Sequence, residues 1–235
     1  MSAPQGGAAA AAVVAGRSLH AVFFDMDGLL VDTEHLWNDA EADVFARLGG
    51  DTWTAEDQAH VVGGPMDKAA RYLGERAGSD APPGQIAAML VESMADRLRA
   101  GADYRPGAVG LLDDLVRAEI PCALVSSSPR VLVDAVLEHV GADHFAFTLA
   151  GDEVARTKPH PDPYLEAARR MGAEAARCVV LEDSPTGITA AEAAGCLVVA
   201  VPFVVAIEPG PRRHVVGSLR ALDAALLDRL VATPS

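Results

Sequence analysis

The chain has 235 residues, of which 50% are hydrophobic and 22% are charged, a composition typical of a globular protein with room for one domain and an insert. Its 19 basic and 33 acidic residues give a formal net charge of −14. Because an acidic chain repels phosphodiester backbones and anionic lipids, we expect neither a nucleic-acid partner nor a membrane partner. A small anionic ligand would need a local cation, such as a metal ion or a lysine.

The N-terminal segment is rich in alanine and glycine, and it lacks the basic start and strongly apolar stretch of a secretory leader. We expect residues 1–17 to form a disordered tail. The three cysteines, Cys122, Cys178 and Cys196, lie in apolar runs without metal-site spacing, which indicates reduced, buried thiols. Since the sequence also has no apolar run of 18 residues, we predict a cytoplasmic protein without a transmembrane helix.

Short apolar runs alternate with amphipathic stretches along most of the chain. The helical spacing of apolar residues between Leu132 and Val140 is one such stretch. The apolar runs are typical of strands buried on both faces of a parallel sheet, and they are Ala21–Phe24, Cys122–Val125, Phe147–Leu149, Cys178–Leu181 and Leu197–Val201. The pattern predicts an α/β fold with a doubly wound (Rossmann-like) parallel sheet.

Residues 33–104 do not follow this alternation. Their apolar residues recur at helical spacing, and glycine- and proline-rich breaks separate the successive helical stretches. We predict that residues 33–104 form an all-helical cap domain. The cap is inserted into an α/β core that consists of residues 18–32 and 105–235.

Acidic residues follow two of the predicted strands. Asp25 and Asp27 come directly after the first strand, in the segment DMDGLLVDTE, and Glu182 and Asp183 end the fourth, in LEDSPTGI. A pair of acids at one strand end is often only a helix cap or a solvated turn. Carboxylates from two strand ends, however, supply the hard oxygen ligands that suit Mg²⁺.

Groups that can hold a phosphate occur between these acidic segments. Ser126 and Ser127 follow the second strand, where hydroxyl and backbone N–H groups can bind an anion, although such a turn also serves simply to cap a helix. Lys158 directly precedes Pro159 in the proline-rich segment TKPHP, an unusual place for a solvated ammonium group. Together with the acids, these residues indicate phosphoryl-transfer chemistry.

In their order and spacing, these segments resemble the four motifs of the haloacid dehalogenase superfamily. The resemblance covers residues 20–201, and its motifs are DMDGLLVD, Ser126 after ALV, Lys158 in KPHP, and LEDSPTGI. Within the superfamily, DMDGLLVDTEHLW and LEDSPTGI are most similar to the sugar-phosphate phosphatases and β-phosphoglucomutases, in particular the hexitol and 2-deoxyglucose-6-phosphate phosphatases.

The resemblance implies a phosphatase that hydrolyses small phosphorylated metabolites, such as sugar or sugar-alcohol phosphates, through an aspartyl phosphate. Asp25 would be the nucleophile and Asp27 the general acid and base. The implied cofactor is Mg²⁺, held by the carboxylates of Asp25 and Asp183 and the backbone carbonyl of Asp27. Glu182 would contact the residues that bind the metal, or would bind the metal through a water molecule. The family also implies a monomer.

The resemblance further implies that Ser126, Ser127 and Lys158 bind the phosphoryl oxygens and that the cap selects the substrate. Trp37, Met66 and Arg71 are the candidates for this selection, although Trp37 is equally consistent with the cap core. A β-phosphoglucomutase needs a second phosphate-binding site in its cap. Its cap-loop arginine and early cap-helix histidine correspond here to Met66 and Trp37, which favours the phosphatase.

Two further alternatives remain at this stage. A carbon–halogen hydrolase would share Asp25, but it has no alkoxide to protonate, so the presence of Asp27 argues against it. A non-enzymatic phospho-accepting module would also use acidic strand ends, Mg²⁺ and a lysine. Such modules are about half as long and lack a helical insert.

Overall fold

The computed structural model describes residues 17–233, so the expected tail lies outside the described residues except for Arg17, which donates a hydrogen bond to the carbonyl of Ala118. Six parallel strands form one sheet in the order β3-β2-β1-β4-β5-β6. They are β1 (Ala21–Phe24), β2 (Cys122–Val125), β3 (Phe147–Leu149), β4 (Cys178–Glu182), β5 (Leu197–Ala200) and β6 (Arg213–Val215). The α/β prediction and the five predicted strands are confirmed.

The sixth strand, β6, was not predicted from the sequence. It has only three residues, all partly exposed, because it lies at the edge of the sheet beside β5. An edge strand of this kind has no continuous apolar run to reveal it. In contrast, all residues of β1, β2, β4 and β5 are buried.

The strand order places a crevice at the centre of the sheet. The chain runs from β1 outward to β2 and β3, and then returns to β4 on the other side of β1. In open parallel sheets, ligands bind at such a reversal, outside the carboxyl ends of the strands. The acidic segments after β1 and β4 are therefore neighbours at the position where this fold forms its sites.

Nine α-helices accompany the strands in the described part of the chain. They are α1 (Glu34–Arg47), α2 (Ala55–Val61), α3 (Met66–Ala77), α4 (Pro83–Ala100), α5 (Ala108–Arg117), α6 (Arg130–Val140), α7 (Asp162–Met171), α8 (Pro185–Ala193) and α9 (Ala224–Ala232). Within residues 17–233, every helix falls short of the length and apolar character that a bilayer crossing requires.

The described residues divide into two compact units. The first consists of residues 17–30, 104–130 and 141–233 and contains the sheet. Its main hydrophobic cluster joins alternate strand residues such as Phe23 and Val180 to the apolar faces of α7 and α8. The ring of Tyr164, which is fully buried on α7, stacks on Phe23 with a centroid distance of 6.4 Å.

The second unit consists of residues 31–103 and 131–140, and it contains the helices α1 to α4 and most of α6. Its hydrophobic core joins α1, α3 and α4 through residues such as Phe45, Leu73 and Leu90. The hydroxyl and carboxylate of Thr54 and Asp57 form a capping box that starts α2. Helices α1 to α4 follow one another between residues 34 and 100, and segments that contain glycine and proline separate them.

Candidate active site

The candidate active site lies in the first unit, at the carboxyl ends of β1 and β4. Phe24, the last residue of β1, pairs with Leu181, so Asp25 follows β1 at the level where Glu182 ends β4. Carboxylate oxygens of Asp25, Glu182 and Asp183 all lie within 4.8 Å of one another, and the three residues are buried. The parallel register thus brings together acids that are more than 150 positions apart in the sequence.

Lys158 joins this acidic cluster from the segment between β3 and α7. Its Nζ donates hydrogen bonds to Asp25 Oδ1 at 2.5 Å, to Glu182 Oε1 at 2.7 Å and to the carbonyl oxygen of Val125 at 3.0 Å. These contacts engage all three N–H donors of the ammonium group. A phosphoryl oxygen that binds Lys158 would therefore take the place of one of these acceptors.

Glu182 is fully buried, and both of its carboxylate oxygens have hydrogen-bond donors. Oε1 also accepts from the hydroxyl of Tyr164 at 2.9 Å, and Oε2 accepts from Ser184 Oγ at 2.9 Å and from the backbone N–H groups of Asp183 and Ser184. The hydroxyl of Ser184 also caps α8 by accepting from Gly187 N. Glu182 thus holds the loop after β4 in place.

The balance of buried charge in the site is negative. The carboxylates of Asp25, Glu182 and Asp183 lie around one ammonium group, that of Lys158. Burial and the nearby Glu182 carboxylate raise the pKa of Asp25, although Lys158 opposes this shift. Burial alone would lower the pKa of Lys158, but Asp25 and Glu182 raise it well above its ordinary value, so the lysine is charged.

The donor set fits a hard divalent cation. Asp25 and Asp183 supply carboxylate oxygens in a buried pocket with excess negative charge, which is the environment that favours Mg²⁺. Gly28 leaves this pocket open, because a Cβ atom at this position would lie 2.3 Å from Asp183 Oδ2. Its φ of +80° is also one that side chains rarely adopt. Residue 28 therefore has both a conformational and a steric requirement for glycine.

The serines after β2 have different environments. Ser126 is buried and its Oγ accepts a hydrogen bond from Ser128 N at 2.9 Å, whereas Ser127 is exposed. The hydroxyl of Ser128 donates to Asp27 Oδ2 at 2.9 Å, and Asp27 is half-buried. The structure therefore brings the loop after β2 to the carboxyl group that follows β1.

The three cap candidates all lie in the second unit. Trp37 is half-buried in the first turns of α1, and Met66 is half-buried at the start of α3. Arg71 is exposed on α3 and forms an ion pair with Asp67 at 3.3 Å. Their part in substrate selection stays a prediction.

Three residues at the site were not found by the sequence analysis. Tyr164 belongs to an apolar stripe on α7, where it is spaced as an ordinary core residue with Ala167, Ala168 and Met171. Ser128 is followed by Pro129, a pattern typical of an ordinary helix cap. Gly187 has no room for a side chain, because a Cβ would lie 1.7 Å from Glu182 Oε1. Of these three residues, only Gly187 could have been noticed in the sequence. It lies in the first turn of α8, and glycine is an unfavourable residue within a helix.

Comparison with known proteins identifies the family. Residues 22–201 match the model of the haloacid dehalogenase-like hydrolases. The chain is 31% identical to hexitol phosphatase B of Escherichia coli K12 over 190 residues, or 79% of this chain and 85% of the relative. It is 32% identical to the fructose-1-phosphate phosphatase YqaB of Escherichia coli K12 over 178 residues, or 74% of this chain and 92% of the relative.

A solved structure agrees with these relatives. The crystal structure of CbbY from Rhodobacter sphaeroides in complex with phosphate has a TM-score of 0.77 and 32% identity, with coverage of 89% of this chain and 99% of that chain. The predicted resemblance and the predicted enzyme class are confirmed. The chain therefore belongs to the haloacid dehalogenase-like hydrolase family and is a phosphoric monoester hydrolase of the subgroup that includes the hexitol phosphatases.

Proposed function

We propose that this enzyme is a Mg²⁺-dependent phosphatase that hydrolyses small sugar or sugar-alcohol phosphates through an aspartyl phosphate on Asp25. The observation that carries the proposal is the arrangement of Asp25 at the end of β1, bonded to Lys158 and beside the carboxylate of Asp183. Two of its relatives are a hexitol phosphatase and a fructose-1-phosphate phosphatase, which supports substrates with several hydroxyl groups.

In this mechanism, a carboxylate oxygen of Asp25 attacks phosphorus as the bond to the leaving alkoxide breaks. The carboxyl group of Asp27 gives its proton to the alkoxide, and the resulting carboxylate then takes a proton from the water that cleaves the aspartyl phosphate. When bound at Asp25, Asp183 and the carbonyl of Asp27, Mg²⁺ would offset the negative charge that opposes attack on a phosphate dianion.

The remaining residues of the site bind and orient. Lys158 offers its charge to the transferring phosphoryl group, and it is held in place by Glu182 and Val125. Ser126 and Ser127 place hydroxyl and N–H groups at the end of β2, where they bind phosphoryl oxygens. In this assignment Glu182 does not contact the metal, because its oxygens are engaged by Lys158, Tyr164 and Ser184.

Residues of the helical unit support a phosphatase over a phosphomutase. A mutase needs cations that grip a second phosphate. Three cations follow Met66 on α3, and each has a partner in its own unit. Lys68 Nζ donates to the carbonyl of His60, Arg71 pairs with Asp67, and Arg76 donates to Asp57 Oδ1. We therefore propose that Trp37, Met66 and Arg71 take part in selecting the sugar part of a monophosphate.

The test is a substrate screen with purified protein and Mg²⁺. The panel contains hexitol phosphates, hexose 6-phosphates, fructose 1-phosphate, phosphoglycolate, nucleotides and β-glucose 1-phosphate, and phosphate release is measured. We expect the largest kcat/KM among the hexitol and sugar phosphates, no release in EDTA, and no release by Asp25→Asn. Conversion of β-glucose 1-phosphate to glucose 6-phosphate faster than hydrolysis would instead establish the mutase.

A further inference from the structure

The hydroxyl of Ser128 makes a contact that its position in the sequence does not suggest. It donates to Asp27 Oδ2 at 2.9 Å, across 101 positions of the chain. A serine followed by a proline commonly caps a helix, but α6 begins at Arg130, and Arg130 N donates to Asp152 Oδ1 at 3.0 Å. The carboxylate of Asp152 thus accepts a hydrogen bond from the first backbone N–H group of α6, and the Ser128 hydroxyl instead donates to Asp27.

The backbone of Ser128 is held on both sides. Its N–H donates to Ser126 Oγ at 2.9 Å, and its carbonyl accepts from Gly151 N at 2.9 Å. Gly151 itself packs directly on the loop, because a Cβ at this position would lie 2.1 Å from the carbonyl oxygen of Ser127. With its backbone fixed by these contacts, Ser128 presents its hydroxyl from a constant position.

A hydroxyl that donates to one oxygen of a carboxyl group fixes the orientation of that group. The hydrogen bond from Ser128 Oγ to Asp27 Oδ2 holds the Asp27 carboxyl group in this way. The bond also restricts rotation of the carboxyl group about its side-chain torsions. Orientation of this kind is what general acid catalysis requires, because the proton must lie within hydrogen-bond reach of the leaving oxygen.

We propose that Ser128 is the positioning residue for the general acid and base, Asp27. The inference rests on the proposed function, because it takes Asp27 as the group that transfers the proton. In the first step, the Asp27 carboxyl group gives its proton to the leaving oxygen while the bond between phosphorus and that oxygen breaks and Asp25 bonds to phosphorus. In the second step, the attacking water gives a proton to the Asp27 carboxylate. The water oxygen bonds to phosphorus, and the bond between phosphorus and Asp25 breaks.

Two other roles for Ser128 would have different kinetic signatures. If the hydroxyl only held the phosphate, its removal would raise KM for every phosphate ester. If the hydroxyl only stabilised the loop, its removal would slow the hydrolysis of every ester by the same factor. A positioning role predicts that the loss depends on the leaving group, because a basic leaving oxygen needs the proton of Asp27 and a stabilised anion does not.

The test compares phenyl phosphate with p-nitrophenyl phosphate, which differ by one nitro group and therefore mainly in the basicity of the leaving oxygen. With the full-length enzyme and Mg²⁺, we expect Ser128→Ala to lower kcat/KM for phenyl phosphate by about tenfold or more, and for p-nitrophenyl phosphate by less than about threefold. The comparison uses kcat/KM because kcat also contains the hydrolysis of the aspartyl phosphate, which is the same for both esters. Ser128→Thr, which keeps the hydroxyl, should restore the ratio of the two kcat/KM values.

A double-mutant cycle with Asp27→Asn gives a second measure. If Ser128 acts through Asp27, Ser128→Ala should change kcat by less than about twofold when Asp27 is already replaced. Thermal unfolding of each variant verifies that it is folded. If Ser128→Ala does not fold, Ser128→Cys provides a weaker donor of similar size, and a change in the ratio of kcat/KM values in the same direction is expected.

The outcomes separate the inference from the proposed function. Equal losses of kcat/KM for the two esters, or full additivity with Asp27→Asn, would overturn the role of Ser128. Absence of Mg²⁺-dependent hydrolysis of both esters by the wild-type enzyme would instead overturn the phosphatase assignment. A wild-type enzyme that is active on both esters, with a leaving-group-dependent loss in Ser128→Ala, supports both.

Discussion

The ammonium group of Lys158 lies 2.5 Å from Asp25 Oδ1, so the lysine and the proposed nucleophile form a buried ion pair. The same ammonium group contacts Glu182 Oε1 at 2.7 Å. Breaking a buried pair by removal of one partner leaves an uncompensated charge, which is more costly than the pair is stabilising. Lys158 therefore contributes both to the chemistry and to the stability of the first unit.

Lys158→Met should lower kcat/KM by about 100-fold or more, because it removes a cation from the position where phosphoryl charge develops. In metal-free buffer it should also destabilise the protein by about 3–5 kcal/mol, and by less when Mg²⁺ is present. Lys68→Met is the matched control, since Lys68 is exposed and donates a hydrogen bond to the backbone carbonyl of His60. Urea unfolding of both variants measures the difference, and equal stabilities would contradict the expectation.

The hydroxyl of Tyr164 offers a test of Glu182. Tyr164→Phe removes a fully buried donor to Glu182 Oε1 and should destabilise the protein by about 1–3 kcal/mol, with a reduced kcat because the loop after β4 is less well held. Tyr72→Phe removes a similar bond, from Tyr72 to Asp57 Oδ1 at 2.7 Å, in the helical unit. We expect this control to lower stability without an effect on kcat for p-nitrophenyl phosphate.

Gly187→Ala should be severely disruptive, although both glycine and alanine are compatible with a helix. The Cβ of the new alanine would lie 1.7 Å from Glu182 Oε1. Glu182 has no space into which to move because it is fully buried. We expect a loss of more than about 3 kcal/mol or loss of the folded protein. Gly110→Ala on α5 has no atom within 4 Å of its Cβ and should stabilise by about 0.5–1 kcal/mol. Similar thermal unfolding of the two variants would refute this account.

The metal site predicts a stability effect that does not depend on turnover. Because Mg²⁺ would bind the folded site and relieve its negative charge, a concentration 100 times Kd should stabilise the protein by about 2.7 kcal/mol. Asp183→Asn should abolish this increase in thermal stability, since it removes a carboxylate ligand and leaves a side chain of equal size. An increase of the same size in Asp183→Asn would show that Mg²⁺ binds elsewhere.

The carboxyl group of Glu41 predicts a pH dependence of stability in the helical unit. It is buried on α1, and among residues 17–233 its Oε2 has no hydrogen-bond partner. Burial and the negative charge of Glu34 raise the pKa of Glu41 from 4.5 to about 8, although a hydrogen bond with Gln58 opposes the shift. Between these values the unfolded chain has released the proton and the folded chain retains it, so stability falls as the pH rises.

Glu41→Gln removes this titration. The variant should therefore be more stable than the wild type near pH 8 by about 2 kcal/mol, and the difference should shrink toward pH 5. Urea unfolding at both pH values measures it. A stability difference that is the same at both pH values would show that Glu41 does not retain its proton in the folded protein.

Much of the fold and part of the site could be predicted from local sequence. The continuous apolar runs predicted β1, β2 and β4 because strands buried on both faces have no polar alternation. The acids and the lysine were recognisable because charged residues at the ends of such runs are unusual. The short strand β6 was missed, since its residues are only partly buried at the sheet edge.

Sequence by itself thus determined the elements, the family motifs and the residue types that the chemistry needs. Tertiary structure decided which donor meets which carboxylate: Ser128 with Asp27, Tyr164 with Glu182, and Lys158 with Asp25. These contacts join residues 18 to 133 positions apart, and they depend on the parallel register of the strands and on the rotation of α7 against the sheet. The strand register and the rotation of α7 are set by packing through many buried contacts, so no local sequence pattern encodes them.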